Sequence, residues 1–94
     1  MTLIDYGGRI GEHLALGHQL LASGQIVAVK YCASACLMIL AMFAAKPETM
    51  KRLCVYPDAW IGYHVHPNVD GSESPTTMLW ERGTDLINRG YSPC

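Results

Sequence analysis

The chain lacks the marks of several large protein classes. It has no run of Lys or Arg. Seven basic residues stand against eight acidic ones, for a formal net charge of −1. No stripe of positive charge can follow a phosphate backbone, so a nucleic-acid partner is not expected. It has no long hydrophobic run either. The most apolar stretch, Ala35 to Ala45, falls far short of the ~20 residues that span a bilayer. Met1 to Gly8 carry neither a basic start nor an apolar core and do not read as a signal peptide. The expectation is a soluble chain that stays in the cytoplasm where it is made, or a periplasmic one if an upstream leader is missing. A disulfide-dense scaffold is excluded as well: the four cysteines, Cys32, Cys36, Cys54 and Cys94, are too few and too irregularly spaced for one. Reduced thiols are the default, and the Cys32/Cys36 spacing permits a bridge only if local geometry cooperates. Repeats and low-complexity segments are absent. So is G-x-S-x-G, which excludes a standard α/β-hydrolase elbow.

What is present fits one small domain. Ninety-four residues, 50% hydrophobic and 16% charged, exclude disorder and allow a single core with little margin. Met1 to Ile4 reads as a strand end and Gly7-Gly8 as a tight turn. From Arg9 to Ala22, Ile10, Leu14, Gly17 and Leu21 recur at helical spacing, with Leu16 and Leu20 widening the face. Gly24 suits a left-handed cap. Ile26 to Tyr31 reads as a buried strand. A helix from about Ser34 to Ala45 stops before Pro47. After a polar connection, Leu53 to Tyr56 and Trp60 to Val65 read as strands around a Pro57-Asp58 turn, and Pro67 to Ser74 as a loop. Ser74-Pro75 reads as the start of a helix that places Leu79, Gly83 and Leu86 on one face and ends at Gly90. The order β-α-β-α-β-β-α predicts an α/β fold with parallel strands.

Three features carry chemistry. Ser34 stands at a strand-to-helix junction, where free backbone N–H groups and the positive end of a helix dipole converge. Taken alone it is a common N-cap. Gly7-Gly8 is either a turn needing positive φ or a loop whose N–H groups approach a substrate carbonyl. His64 and His66 would share one face of a strand, with Tyr63 and Val65 on the other. His-x-His with Cys32 and Cys36 could also hold a metal, though the spacing matches no common zinc site. His13 and His18 lie on the first helix without obvious partners.

In their order and context these segments resemble the Clp protease proteolytic subunit and related serine peptidases of the ClpP/crotonase superfamily. The likeness is greatest to ClpP-like envelope proteins with a Cys-Ala-Ser-Ala-Cys signature. Asp5-Tyr6-Gly7-Gly8 is similar to the family's Ser-Pro-Gly-Gly loop, with Tyr6 in the place of proline. Cys32-Ala33-Ser34-Ala35-Cys36 falls at the nucleophile. Arg52, Pro57, Ala59, Ile61, Gly62 and His64 reproduce R-x4-P-x-A-x-I-G-x-H, which ends at the catalytic histidine. The resemblance covers nearly all of residues 1–94 as one ClpP-like domain. It implies a β-α superhelix core whose flanking parts lie beyond both ends, the family's catalytic aspartate among them. It implies Ser34 as nucleophile, His64 as general base, and Gly8 and Ala35 N–H groups as the oxyanion hole. It implies peptide or protein substrates, possible homo-oligomers and no cofactor. Asp70 and Asp85 are local alternatives for orienting His64, and neither matches the family position. Two other readings stand beside the peptidase: a catalytically inactive relative acting as a binding or assembly module, and a Cys/His metal-binding protein.

Overall fold

Gly24 takes the left-handed conformation, φ 74°, at the end of the first helix, as its sequence position predicts. The structure is a computed structural model that describes residues 1–65 and 77–94. Strand β1 (Thr2–Asp5) leads through the glycine loop into α1 (Ile10–Ser23), and β2 (Val27–Ala33) follows. A 3₁₀ turn (Ser34–Cys36) opens α2 (Leu37–Ala44), and a short α3 (Pro47–Met50) occupies the polar connection. Then come β3 (Leu53–Val65), β4 (Thr77–Arg82), α4 (Gly83–Asn88) and β5 (Ser92–Pro93). β1, β2 and β3 run parallel, β4 pairs antiparallel with β3, and β5 lies parallel to the first half of β3. The molecule is thus mixed α/β with a largely parallel sheet.

The alternation of the strands sorts the two faces. Leu3, Val27, Val29, Leu53, Val55, Ala59 and Ile61 are buried. They form one core with Ile39, Leu40 and Phe43 of α2 and Leu86 of α4. α2 is apolar all round because it closes this core. α1 packs on it through Gly17, where a Cβ would stand 2.5 Å from Met42 Sδ. That close approach turns the buried face of α1 toward His13, Gly17 and Leu20. Ile10 and Leu14, expected inside, are exposed.

Arg52, read as part of the histidine motif, holds the frame together. Its guanidinium donates to the Leu20, Leu21 and Gln25 carbonyls at 2.7, 3.0 and 3.2 Å. These are carbonyls at the C-terminus of α1 and just beyond it, which otherwise lack intrahelical donors. The expected Pro57-Asp58 turn is a bulge inside one continuous strand: Val29 pairs with Val55, but Tyr31 pairs with Trp60. Pro57 has no N–H to give to a ladder, and a bulge asks for none. The bulge also receives α4. A Cβ at Gly83 would overlap the Tyr56 carbonyl.

Two further expectations fail. Thr77–Arg82 is a strand, not part of a helix begun at Ser74-Pro75. Its pairing with the edge of β3 sets Trp80 opposite Gly62, and cross-strand packing overrides the helical spacing. Residues 66–76, with His66, Asp70, the Pro67–Ser74 loop and Ser74-Pro75, lie outside the described residues. The default of reduced thiols also fails: Cys32 is bonded to Cys36, and Cys54 to Cys94.

Candidate active site

The parallel strands deliver their chemistry to one edge. Asp5 ends β1 and pairs with Cys32; Ala33 ends β2 and pairs with Gly62 of β3. Gly7-Gly8 and Ser34 therefore follow β1 and β2, and His64 is the next-to-last residue of β3, all at the carboxyl ends of neighbouring strands, where open α/β sheets bind ligands.

Ser34 is the one non-glycine residue with positive φ among those described, at 59°. It is not the N-cap its position suggested. Ala33 precedes the 3₁₀ turn as cap, and no side-chain cap bond forms. For an L-residue this conformation costs about 1–2 kcal/mol, so the surroundings must impose it. Two of them do. The Cys32–Cys36 bridge closes a short ring around Ser34, and both cysteines are fully buried. Gly7, at φ 97°, lies against it: a Cβ there would stand 2.8 Å from Ser34 Cβ and 3.0 Å from the Ala33 carbonyl oxygen. Ser34 itself is only half-buried, so its hydroxyl remains approachable.

The glycine loop is anchored by a pair that sequence reading missed. Asp5 Oδ1 accepts the Gly7 N–H at 2.8 Å. The same carboxylate meets His13 Nε2 at 2.9 and 3.0 Å, and His13 Nδ1 donates to the Arg9 carbonyl at 2.7 Å. The backbone bond to Arg9 and the bond to Asp5 both raise the His13 pKa, against the opposing effect of burial. A pKa raised in the fold stabilises the protein fully below the unfolded value near 6.5 and is lost as pH rises through the folded value. Urea denaturation of wild type and His13→Gln at stepped pH should therefore show their stabilities converging on the alkaline side. A constant gap would rule out a charged His13. Asp5 and His13 are eight positions apart and meet only because α1 folds back over the end of β1. The single signal was a histidine on a helix beside a strand-end aspartate.

His64 lies two residues beyond Gly62, exposed, on the face that carries Trp60. The histidine hydrogen bonds among the described residues belong to His13, and none joins Ser34 to His64. The edge brings the two into neighbouring strand positions without linking them. Asp85 is committed elsewhere, since its carboxylate accepts the Arg82 N–H at 2.8 Å and caps α4. The Cys32 and Cys36 sulfurs are bonded to each other and so offer no thiolates to a metal. Among the described residues no cluster of His, Cys, Asp and Glu is arranged to hold an ion.

A row of aromatic rings flanks the edge: Tyr6 to Tyr31 at 4.7 Å, Tyr31 to Trp80 at 5.5 Å and Trp80 to Trp60 at 6.2 Å between centroids. Tyr31, Trp60 and Trp80 line an open cleft of about 300 Å³. Arg82 stacks on Trp60 at 3.9 Å. No helix of the described residues is long and apolar enough to cross a membrane. No protein-family model, curated protein or solved structure matches the chain.

Proposed function

We propose that this chain carries serine peptidase chemistry of the ClpP/crotonase type, with Ser34 as nucleophile and His64 as general base. One observation carries the reading. A serine is held at positive φ between a parallel strand and a helix, with a glycine backbone packed against it. A structural cap needs none of these features; an exposed nucleophile does.

In this reading Ser34 Oγ attacks the peptide carbonyl carbon while its proton passes to the His64 imidazole. The carbonyl electron pair moves onto oxygen, toward the Gly8 and Ala35 N–H groups. Among the described residues nothing accepts the Gly8 N–H, which suits that role. Collapse expels the amine, which takes the proton from His64. Water then releases the acyl group by the same route. The two disulfides favour an oxidising compartment.

Intact mass after incubation with a fluorophosphonate tests the reading. A single adduct on folded wild-type protein is expected. A folded protein that takes no adduct would favour the binding-module alternative, for which the outer edge of β1, with Ile4 exposed beside it, is the natural surface.

A further inference from the structure

We propose that His13, bridging Asp5 and the Arg9 carbonyl, is a positioning residue that fixes the Gly7–Gly8 loop for the reaction and holds a positive charge beside it. The proposal rests on the peptidase reading for the loop's role, but the bridge itself stands on geometry.

Both ring nitrogens of His13 face acceptors. A carbonyl oxygen can only accept, so Nδ1 carries a hydrogen toward Arg9. Nε2 lies almost equally far from the two Asp5 oxygens, at 2.9 and 3.0 Å. That is the fork of an N–H donor shared by an ionised carboxylate, and Oδ1 also accepts the Gly7 N–H. A protonated Asp5 would place its own hydrogen on one oxygen and favour one short contact. This arrangement favours an imidazolium, and the ring is the sole buried polar or charged side chain among the described residues, 7% exposed. The charges acting on it are Asp5 from β1 and Glu12 on its own helix.

This one ring clamps the loop at both ends. Asp5 is the last residue of β1, Arg9 immediately precedes α1, and Tyr6-Gly7-Gly8 spans the interval. Gly8 packs on the ring: a Cβ there would come 3.3 Å from His13 Cε1. The oxyanion donor of the proposed reaction thus sits against the His13 ring, close enough to feel its charge. Loss of the cation would also leave the Asp5 carboxylate as an unbalanced negative charge near the developing oxyanion. Both effects act on the transition state more than on bound substrate.

The decisive experiment combines three readouts on the full chain. The first is the ¹⁵N signature of the His13 ring at neutral pH, which is independent of any activity; two protonated nitrogens are expected. The second is saturation kinetics of Ser34 phosphonylation by a fluorophosphonate, with loss of fluoride, in wild type, His13→Gln and His13→Leu. The maximal rate should fall about 10²- to 10³-fold in His13→Leu, the scale of a lost oxyanion donor, with the half-saturating concentration nearly unchanged. The third is the pH profile: wild type should lose phosphonylation rate on the alkaline side as His13 deprotonates, and His13→Gln should not. A neutral ring tautomer overturns the proposal whether or not Ser34 reacts. So do folded variants that are phosphonylated at the wild-type rate. Wild type that is never phosphonylated overturns the peptidase reading instead, and the nitrogen signature still decides the clamp. If His13→Leu does not fold, His13→Gln and the nitrogen signature decide it.

Discussion

Ser34→Ala is expected to take no fluorophosphonate adduct and to lose hydrolysis by about 10⁶-fold, the cost of removing the nucleophile from a serine catalytic unit. It should keep the stability of wild type within about 0.5 kcal/mol, because alanine at φ 59° meets the same backbone strain that serine does. Ser34→Gly separates the two effects. It should be equally dead but more stable, by up to about 1 kcal/mol, since glycine enters this conformation freely and offsets part of that gain through a more disordered unfolded state. Urea denaturation beside the mass measurement tests the pair. A glycine variant less stable than the alanine one would mean that Ser34 is under no strain. An adduct that survives either change would move the nucleophile elsewhere.

Cys54→Ser with Cys94→Ser should give the largest loss of stability. The bridge joins residues 40 apart in sequence. On the chain-entropy model a loop of that length contributes about 4 kcal/mol, a large share of the 5–15 kcal/mol that holds a typical domain. Structure points the same way. β5 is only two residues long and pairs with Cys54 and Val55, so without the bridge little holds it to the sheet. The Cys32–Cys36 ring, with a separation of four, contributes about 2 kcal/mol by the same relation. Its removal should be felt in the chemistry: Cys32→Ser with Cys36→Ser should stay folded but lose the fluorophosphonate adduct on Ser34. Denaturation midpoints and adduct yields for the two double variants, side by side, check this. A reversed ranking, with the short ring dominating stability, would contradict it.

The sequence marked those elements whose burial repeats along the chain. α1, β2 and α2 follow from periodicity, from β-branched runs and from a proline stop. Gly7-Gly8 and Ser34 were each ambiguous alone, since a turn glycine and a capping serine are common, and only the resemblance to the peptidase family brought them together as a candidate pair. Contacts between distant segments were not legible. Thr77–Arg82 carries helical spacing, yet the edge of β3 and the bare surface of Gly62 make it a strand. The buried face of α1 is set by how closely Gly17 meets Met42, which no count of apolar residues shows. Pro57 signals a break, but whether that break is a turn or a bulge depends on what fills it, here Gly83 against Tyr56. Asp5 and His13 look like ordinary polar residues until α1 is laid across β1. The positive φ of Ser34 had no sign in composition at all, since serine is compatible with the ordinary cap geometry.

The ring around Ser34 has a further consequence, in time rather than in geometry. The first turn of a helix is where local opening is easiest, since its N–H groups lack internal partners and it frays without disturbing the core. A residue there would ordinarily be released many times for each global unfolding event. Here Cys36, at the end of that first turn, is covalently joined to Cys32 inside the central sheet. Fraying of α2 cannot carry Ser34 away from β2, and the opening frequency of its amide should match that of the sheet rather than that of a helix end.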